Sequence, residues 1–185
     1  MSKIIKPAAV LLIICIIAAG LLGYVNAITL KPIADQDAKA KTESMTAVLP
    51  DAASFGDEKK VNEGDITSVT PALDESGNEI GYAVAITTKG FSAGLKLMYG
   101  IDTNGAITGL SVVDCSNETP GLGANAKNES FYGQFTGKSG EVKVSKDGGE
   151  IEALTGATIT SRAVANAATE AIQYVTENYL EGGAN

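Results

Sequence analysis

The sequence predicts an α+β fold, an antiparallel sheet with packed helices, preceded by a single N-terminal transmembrane helix. Three observations predict it. The run PAAVLLIICIIAAGLLGYVNAITL, Pro7 to Leu30, holds twenty-four positions without a charge, long enough for a helix to cross a bilayer core. The middle of the chain alternates β-rich runs with glycine-containing turn signals. The C-terminal stretch repeats apolar residues at helical spacing.

The apolar run comes first. Val25-Asn26-Ala27 resembles the small-residue site of a cleaved signal peptide. The run is longer than a signal core, however, so a retained anchor is expected. Processing as a lipoprotein is not, because Ile14 before Cys15 is too bulky for that cleavage site. Lys3 and Lys6 hug one end of the span, while Lys31, Lys39 and Lys41 follow the other. The closeness of the first pair to the span favours a cytoplasmic N-terminus. All 22 acidic residues and 12 of the 14 basic ones follow the span, giving that part a net charge of about −10. Such a surface repels nucleic acid and anionic lipid. The expected organisation is a cytoplasmic tail over 1–6, an anchor over 7–30, a helical linker and start of the domain over 31–62, and an extracytoplasmic domain over 63–185.

ADQDAKAKTESMTAVL, Ala34 to Leu49, has helical composition without Gly or Pro, and Pro50 ends it. Three turns follow: Asp74 to Asn78, Lys89-Gly90, and Thr103-Asn104-Gly105. Between and after them lie GYAVAITTK, GLKLMYGID and AITGLSVVD, and Asn104-Gly105 between two such runs signals a tight hairpin. These segments predict an antiparallel meander over about 66–114. A loop over 115–124 leads to a short helix near Asn125 to Tyr132, then one or two short strands around 141–153. The last helix spans about Ser161 to Leu180, where Val164, Ala168, Ile172, Val175 and Tyr179 make a stripe that packs on the sheet.

Composition excludes several chemistries. The chain has no His, and so lacks the usual general base, zinc ligand and nucleophile partner. Cys15 and Cys115 stand a hundred positions apart, with no metal-ligand or disulfide spacing. No metal site and no catalytic residue is expected. FTGKSG at 135–140 is not a phosphate loop, because Tyr132 stands where the pattern requires Gly. The sequons at Asn117 and Asn128 are short enough to arise by chance.

Two motifs are left. IEALTGATITSRAV places four hydroxyls, Thr155, Thr158, Thr160 and Ser161, within seven residues and around Gly156-Ala157. A helix cap by one of Thr158, Thr160 or Ser161, worth about 1 kcal/mol, explains one hydroxyl. Gly156 inside the helix would cost about as much, so the helix starts after it. A phosphate explains the rest: small neighbours leave room, and N–H groups at the helix start stabilise its charge. Upstream, NETPGLGAN at 117–125 is a tight loop in which Pro120, Gly121 and Gly123 allow another group to approach the backbone.

TGATITSRAV resembles the covalent-flavin motif of the FMN-binding domain family, and ETPGLG resembles that family's second motif. Together with the anchor and the length, the two motifs are similar to the G subunits of Rnf-type complexes. The resemblance covers essentially the whole chain. It implies FMN bound through a phosphothreonyl ester to Thr158, with Thr155, Gly156 and Ala157 as the motif core and Thr160 and Ser161 beside it. It also implies that Glu118, Thr119, Pro120, Gly121, Leu122 and Gly123 lie near the flavin ring. A flavin transferase would mature the protein. The implied function is electron relay in a membrane complex that couples ferredoxin:NAD electron transfer to Na⁺ or H⁺ translocation, alongside its other membrane and redox subunits. Alternatives are the flavin subunit of a sodium-pumping NADH:quinone reductase, a stand-alone extracellular flavin shuttle, and a flavin-free anchored assembly protein. The family often has His where this chain has Ser116, so any role of that His is open here.

Overall fold

The computed structural model describes residues 2–180, without the side chains of 2–4, 34, 35 and 62. Met1 and positions 181–185 of the expected C-terminal domain lie outside the described residues. The chain divides into two compact units between Lys41 and Thr42.

The first unit is helical, formed by most of α1 (Ser2–Val48). This helix is long and apolar enough to cross a membrane by length and composition, and none of its apolar window is buried inside the protein. Helices apolar all round are suited to a lipid or core environment. The sequence predicts a separate helix over Ala34 to Leu49; that segment is instead the end of α1, which passes through Pro32. An interior proline removes one backbone hydrogen bond, and the helix-forming residues on both sides sustain the rest. Leu49, which precedes Pro50 and is therefore biased away from the α region, ends the helix.

In the second unit, the last residues of α1 lead into a six-stranded antiparallel sheet: β1 (Ser54–Phe55), β2 (Lys59–Glu63), β3 (Ile66–Leu73), β4 (Glu79–Lys89), β5 (Ala93–Asp102) and β6 (Ile107–Asp114). β3 to β6 form the expected meander, in the order of the sequence. β1 and β2 both pair with β3, which places sheet structure ahead of residue 63. The β5–β6 connection takes a positive φ only at Gly105. It is tied by Asp102 Oδ1, which accepts the N–H groups of Asn104 and Ala106 at 2.9 and 2.8 Å.

Alternation along the strands separates two cores. Tyr82, Val84 and Ile86 of β4, with Leu95, Leu97, Tyr99 and Ile101 of β5, face the larger one. It is closed by α3 (Thr158–Val175), whose Val164, Ala168, Ile172 and Val175 are buried as the stripe predicts. Alanines at 163, 165, 167 and 171 bring the helix close to the sheet. The buried Tyr99 hydroxyl donates to the Val164 carbonyl at 2.7 Å. On the other face Ala83 and Met98 meet Val48 and Leu49. The approach is close because Gly100 and Gly109 pair across β5 and β6. A side chain at Gly100 would strike the Val48 carbonyl, and one at Gly109 would stand 3.0 Å from Val48 Cα.

The chain between β6 and α3 differs from expectation in two respects. The helix near 125–132 is three short pieces: 3-10 turns at Gly123–Lys127 and Gly133–Phe135, with α2 (Glu129–Tyr132) between them. The strands expected around 141–153 reduce to one parallel bridge, Val144 to Ile151. A 3-10 turn at Ser145–Asp147 and left-handed Gly148 (φ +85°) fold the chain back before a ladder can extend.

Candidate functional site

The pieces of the site come from three segments. α3 begins at Thr158, preceded by Gly156 in the left-handed region at φ +76°. A residue with a side chain at position 156 would be strained there, and its Cβ would stand 3.0 Å from Leu122 Cδ2. This glycine is where the two motifs meet. The 118–123 loop is a second compact turn. Leu122 N–H and Ala124 N–H both donate to the Thr119 carbonyl at 3.1 and 3.2 Å, and Asn125 Nδ2 donates to the Gly121 carbonyl at 2.8 Å.

None of the motif's hydroxyls caps α3: the helix start has no side-chain cap hydrogen bond. Ser161, wholly buried, donates to the Ala157 carbonyl at 2.9 Å and accepts the Leu154 N–H at 2.9 Å, closing the turn internally. Buried Thr160 donates to Glu118 Oε2 at 2.6 Å. Thr158 Oγ1 accepts a hydrogen bond from Lys146 Nζ at 3.0 Å. The first N–H groups of a helix have no intrahelical partner, so this start presents donors and a positive dipole end without a side chain to quench them.

A pocket of about 350 Å³ lies against this start, within the roughly 300–1,000 Å³ range of ligand sites. Among the described residues of the second unit, the large apolar side chains left exposed are Phe91, Leu122 and Ile159, and all three line this pocket. An apolar wall beside an anion-accepting helix start matches a ligand with a flat apolar part and a phosphate. Glu118 is 3% exposed and works from behind the wall. Its Oε1 accepts the Ser92 N–H at 3.1 Å while Oε2 takes Thr160, so it ties the β4–β5 turn, the 118–123 loop and α3 together. Gly90 and Gly123 make room for it: a Cβ at either would collide with its carboxylate.

Comparison with known proteins bears on this geometry. The family model described as FMN-binding domain matches residues 90–173, a range that contains every residue lining the pocket. The G subunit of the ion-translocating oxidoreductase complex of Methanosarcina acetivorans is 33% identical over 94% of this chain and 95% of its own. The chain belongs to the G-subunit family of ion-translocating oxidoreductase complexes. Two further members of this G-subunit family are similar at comparable identity. The G subunit of a proton-translocating ferredoxin:NAD(+) oxidoreductase complex in Clostridium ljungdahlii is 34% identical over 90% of this chain and 88% of its own. That of a Na(+)-translocating ferredoxin:NAD(+) oxidoreductase complex in Acetobacterium woodii is 33% identical over 92% and 90%. The fold is also that of Shewanella oneidensis NqrC, with a TM-score of 0.50 and 20% identity over 67% of this chain and 69% of that one.

Of the residues singled out from the sequence of this G-subunit family member, Glu118, Thr119, Leu122, Gly123, Gly156, Ala157, Thr158 and Thr160 line the pocket. Thr155, Pro120, Gly121 and Ser161 stand outside its lining; Ser161 and Gly121 shape the two turns from within. Sequence reasoning misses Phe91, Lys146 and Ile159. Ile159 carries a signal, since it is apolar yet falls off the buried stripe of α3, and Phe91 follows the Lys89-Gly90 turn. Lys146 carries none.

Proposed function

We propose that this chain carries electrons through FMN joined by a phosphoester to Thr158, as the extracytoplasmic, membrane-anchored flavin subunit of a complex coupling ferredoxin:NAD electron transfer to Na⁺ or H⁺ translocation. Family membership makes it a redox subunit of an ion-translocating oxidoreductase, working with the other subunits of that complex. FMN, when bound, supplies reversible electron uptake and release, and the protein's part is to hold and orient it. A flavin transferase would attach it. The span would be 7–30, with 1–6 on the cytoplasmic side, 31–62 as linker and start of the domain, and 63–185 as the rest of the flavin-binding region.

The observation that carries the covalent reading is the disposition of the hydroxyls. Thr160 and Ser161 are consumed by internal hydrogen bonds, whereas Thr158 stands at the uncapped start of α3 and on the pocket wall. The N–H groups at the helix start would hold a phosphate joined there, and Phe91, Leu122 and Ile159 would offer the ring an apolar wall. Covalent attachment also removes the dependence on free ligand that a dissociable cofactor has. Relatives of near-equal identity are named for protons and for Na⁺, so similarity to this chain selects neither ion.

The intact mass of the native protein tests the reading: one FMN adduct is expected, with flavin fluorescence retained in a denaturing gel. Thr158→Ala abolishes the adduct, and Thr155→Ala only weakens it. An adduct retained in Thr158→Ala refutes the assignment.

A further inference from the structure

We propose that Lys146 is the counter-charge for the phosphate at Thr158, and that the Asp147–Arg162 pair is the clamp that positions it. This rests on the reading of Thr158 as the flavin-phosphate acceptor.

The arrangement spans two strips of chain laid side by side. Thr158 and Arg162 stand one helical turn apart on α3 and so share a face. Lys146 and Asp147 are adjacent in the 3-10 turn at Ser145–Asp147. Lys146 Nζ reaches Thr158 Oγ1 at 3.0 Å. Arg162 Nε and Nη2 donate to Asp147 Oδ2 and Oδ1, each at 2.6 Å. That two-pronged contact fixes direction as well as distance, which a single lysine contact does not. A third tie lies further along the helix, where the Val142 N–H donates to Thr169 Oγ1 at 2.8 Å and Thr169 donates back to the Val142 carbonyl at 3.1 Å. The segment carrying Lys146 is thus tethered to α3 at Thr169, at Arg162 and at Thr158.

The chemistry gives Lys146 something to do. An ammonium has donors and no acceptor, so it leaves the Thr158 hydroxyl proton free to depart. Esterification replaces the Thr158 O–H by an O–P bond. With a flavin dinucleotide as the phosphoryl donor, its phosphoanhydride bond breaks, the nucleoside monophosphate leaves, and the hydroxyl proton passes to solvent or base. The phosphoryl oxygens carry negative charge throughout, and the product keeps one negative charge on the diester. Lys146 and the start of α3 face that charge from two directions. Lys146 is exposed, so its replacement should leave folding intact.

The test uses the full chain with its flavin transferase and follows attachment by intact mass over time. Lys146→Gln is expected to slow attachment by about tenfold or more, the value of a charge-assisted hydrogen bond. Lys146→Arg should restore most of the rate, and Asp147→Asn should slow it less than Lys146→Gln does, since the cation is kept but no longer aimed. In the attached product, the phosphorus resonance of the diester should shift between wild type and Lys146→Gln. Attachment of Lys146→Gln at the wild-type rate, or an unmoved phosphorus resonance, overturns the role of Lys146 while leaving the ester at Thr158 standing. A wild-type protein with no adduct overturns both.

Discussion

Thr160 donates its hydroxyl hydrogen to Glu118 Oε2 across 2.6 Å, and the two residues are 1% and 3% exposed. The bond joins the first turn of α3 to the 118–123 loop, forty-two residues apart in sequence. Each motif is therefore shaped by the other. The second carboxylate oxygen adds the Ser92 N–H, so one buried acid sets the relative positions of Phe91, Leu122 and Ile159.

Replacing Glu118 with Ala strands two donors in a buried site and should destabilise the fold by about 1–3 kcal/mol. Thr160→Val removes one of those donors at nearly constant volume. A double-mutant cycle read by chemical denaturation should return a coupling of about 0.5–3 kcal/mol. Strict additivity would mean that the contact does not organise the site.

Gly121 and Gly123 are expected to differ in kind. A methyl at Gly123 would collide with the Glu118 carboxylate and stand 2.7 Å from Thr160 Oγ1. Gly123→Ala should therefore cost about 1–3 kcal/mol by overpacking and shift the flavin's visible spectrum, because the wall it moves is the pocket wall. Gly121 has φ +77° and open space around it. Gly121→Ala should cost about 1–2 kcal/mol from backbone strain alone, with the spectrum little changed. Thermal melts and spectra of both variants decide this, and a spectral shift for Gly121→Ala equal to that of Gly123→Ala would contradict it.

The two hydrogen bonds from Arg162 hold the Asp147 carboxyl below its usual range, and the same contact raises Arg162. A depressed acid contributes stability that is fully present above its unfolded pKa, near 3.9. That contribution is lost as pH falls through the lower native value. Melting temperatures of wild type and Asp147→Asn should therefore differ at pH 6 and converge as pH falls below about 4. A gap that stays constant through this window would mean that the pair is not formed in solution.

Strand periodicity in β3 to β6 and the apolar stripe of α3 are local properties, and each can be read directly from the chain. The start of α3 at Thr158 rather than near Ser161 is less legible, because the sequence offers three candidate caps and the structure uses none. Residues 141–153 read as one or two short strands. Left-handed Gly148 and the tight approach of Gly149 to the Lys143 carbonyl turn them back after a single bridge. Lys146 is invisible in the sequence for the same reason, since its reach to Thr158 exists only once that turn has formed and Asp147 has met Arg162. For Glu118 the family motif implies only a place near the flavin ring. Its role as the buried tie behind the wall depends on Gly90, twenty-eight positions upstream, being unable to compete for the same space.

Cys115 offers a clean background for the topology test. It is buried, its thiol lies 3.6 Å from the Ala124 carbonyl, and burial pushes its pKa up. Since the thiolate is the reactive form, Cys115 should resist maleimide in the folded protein and react only after denaturation. Ser76 is the opposite case. It sits exposed in the 74–78 turn, whose shape comes from Asp74 Oδ1 accepting the backbone N–H groups of Ser76 and Asn78, each at 2.8 Å. Neither bond uses the Ser76 side chain, so Ser76→Cys should keep the turn and expose a thiol. In a Cys15→Ser background, a membrane-impermeant maleimide should label Ser76→Cys in intact cells and leave the parent unlabelled. Labelling of Ser76→Cys only after lysis would place the flavin-binding region in the cytoplasm and refute the proposed orientation.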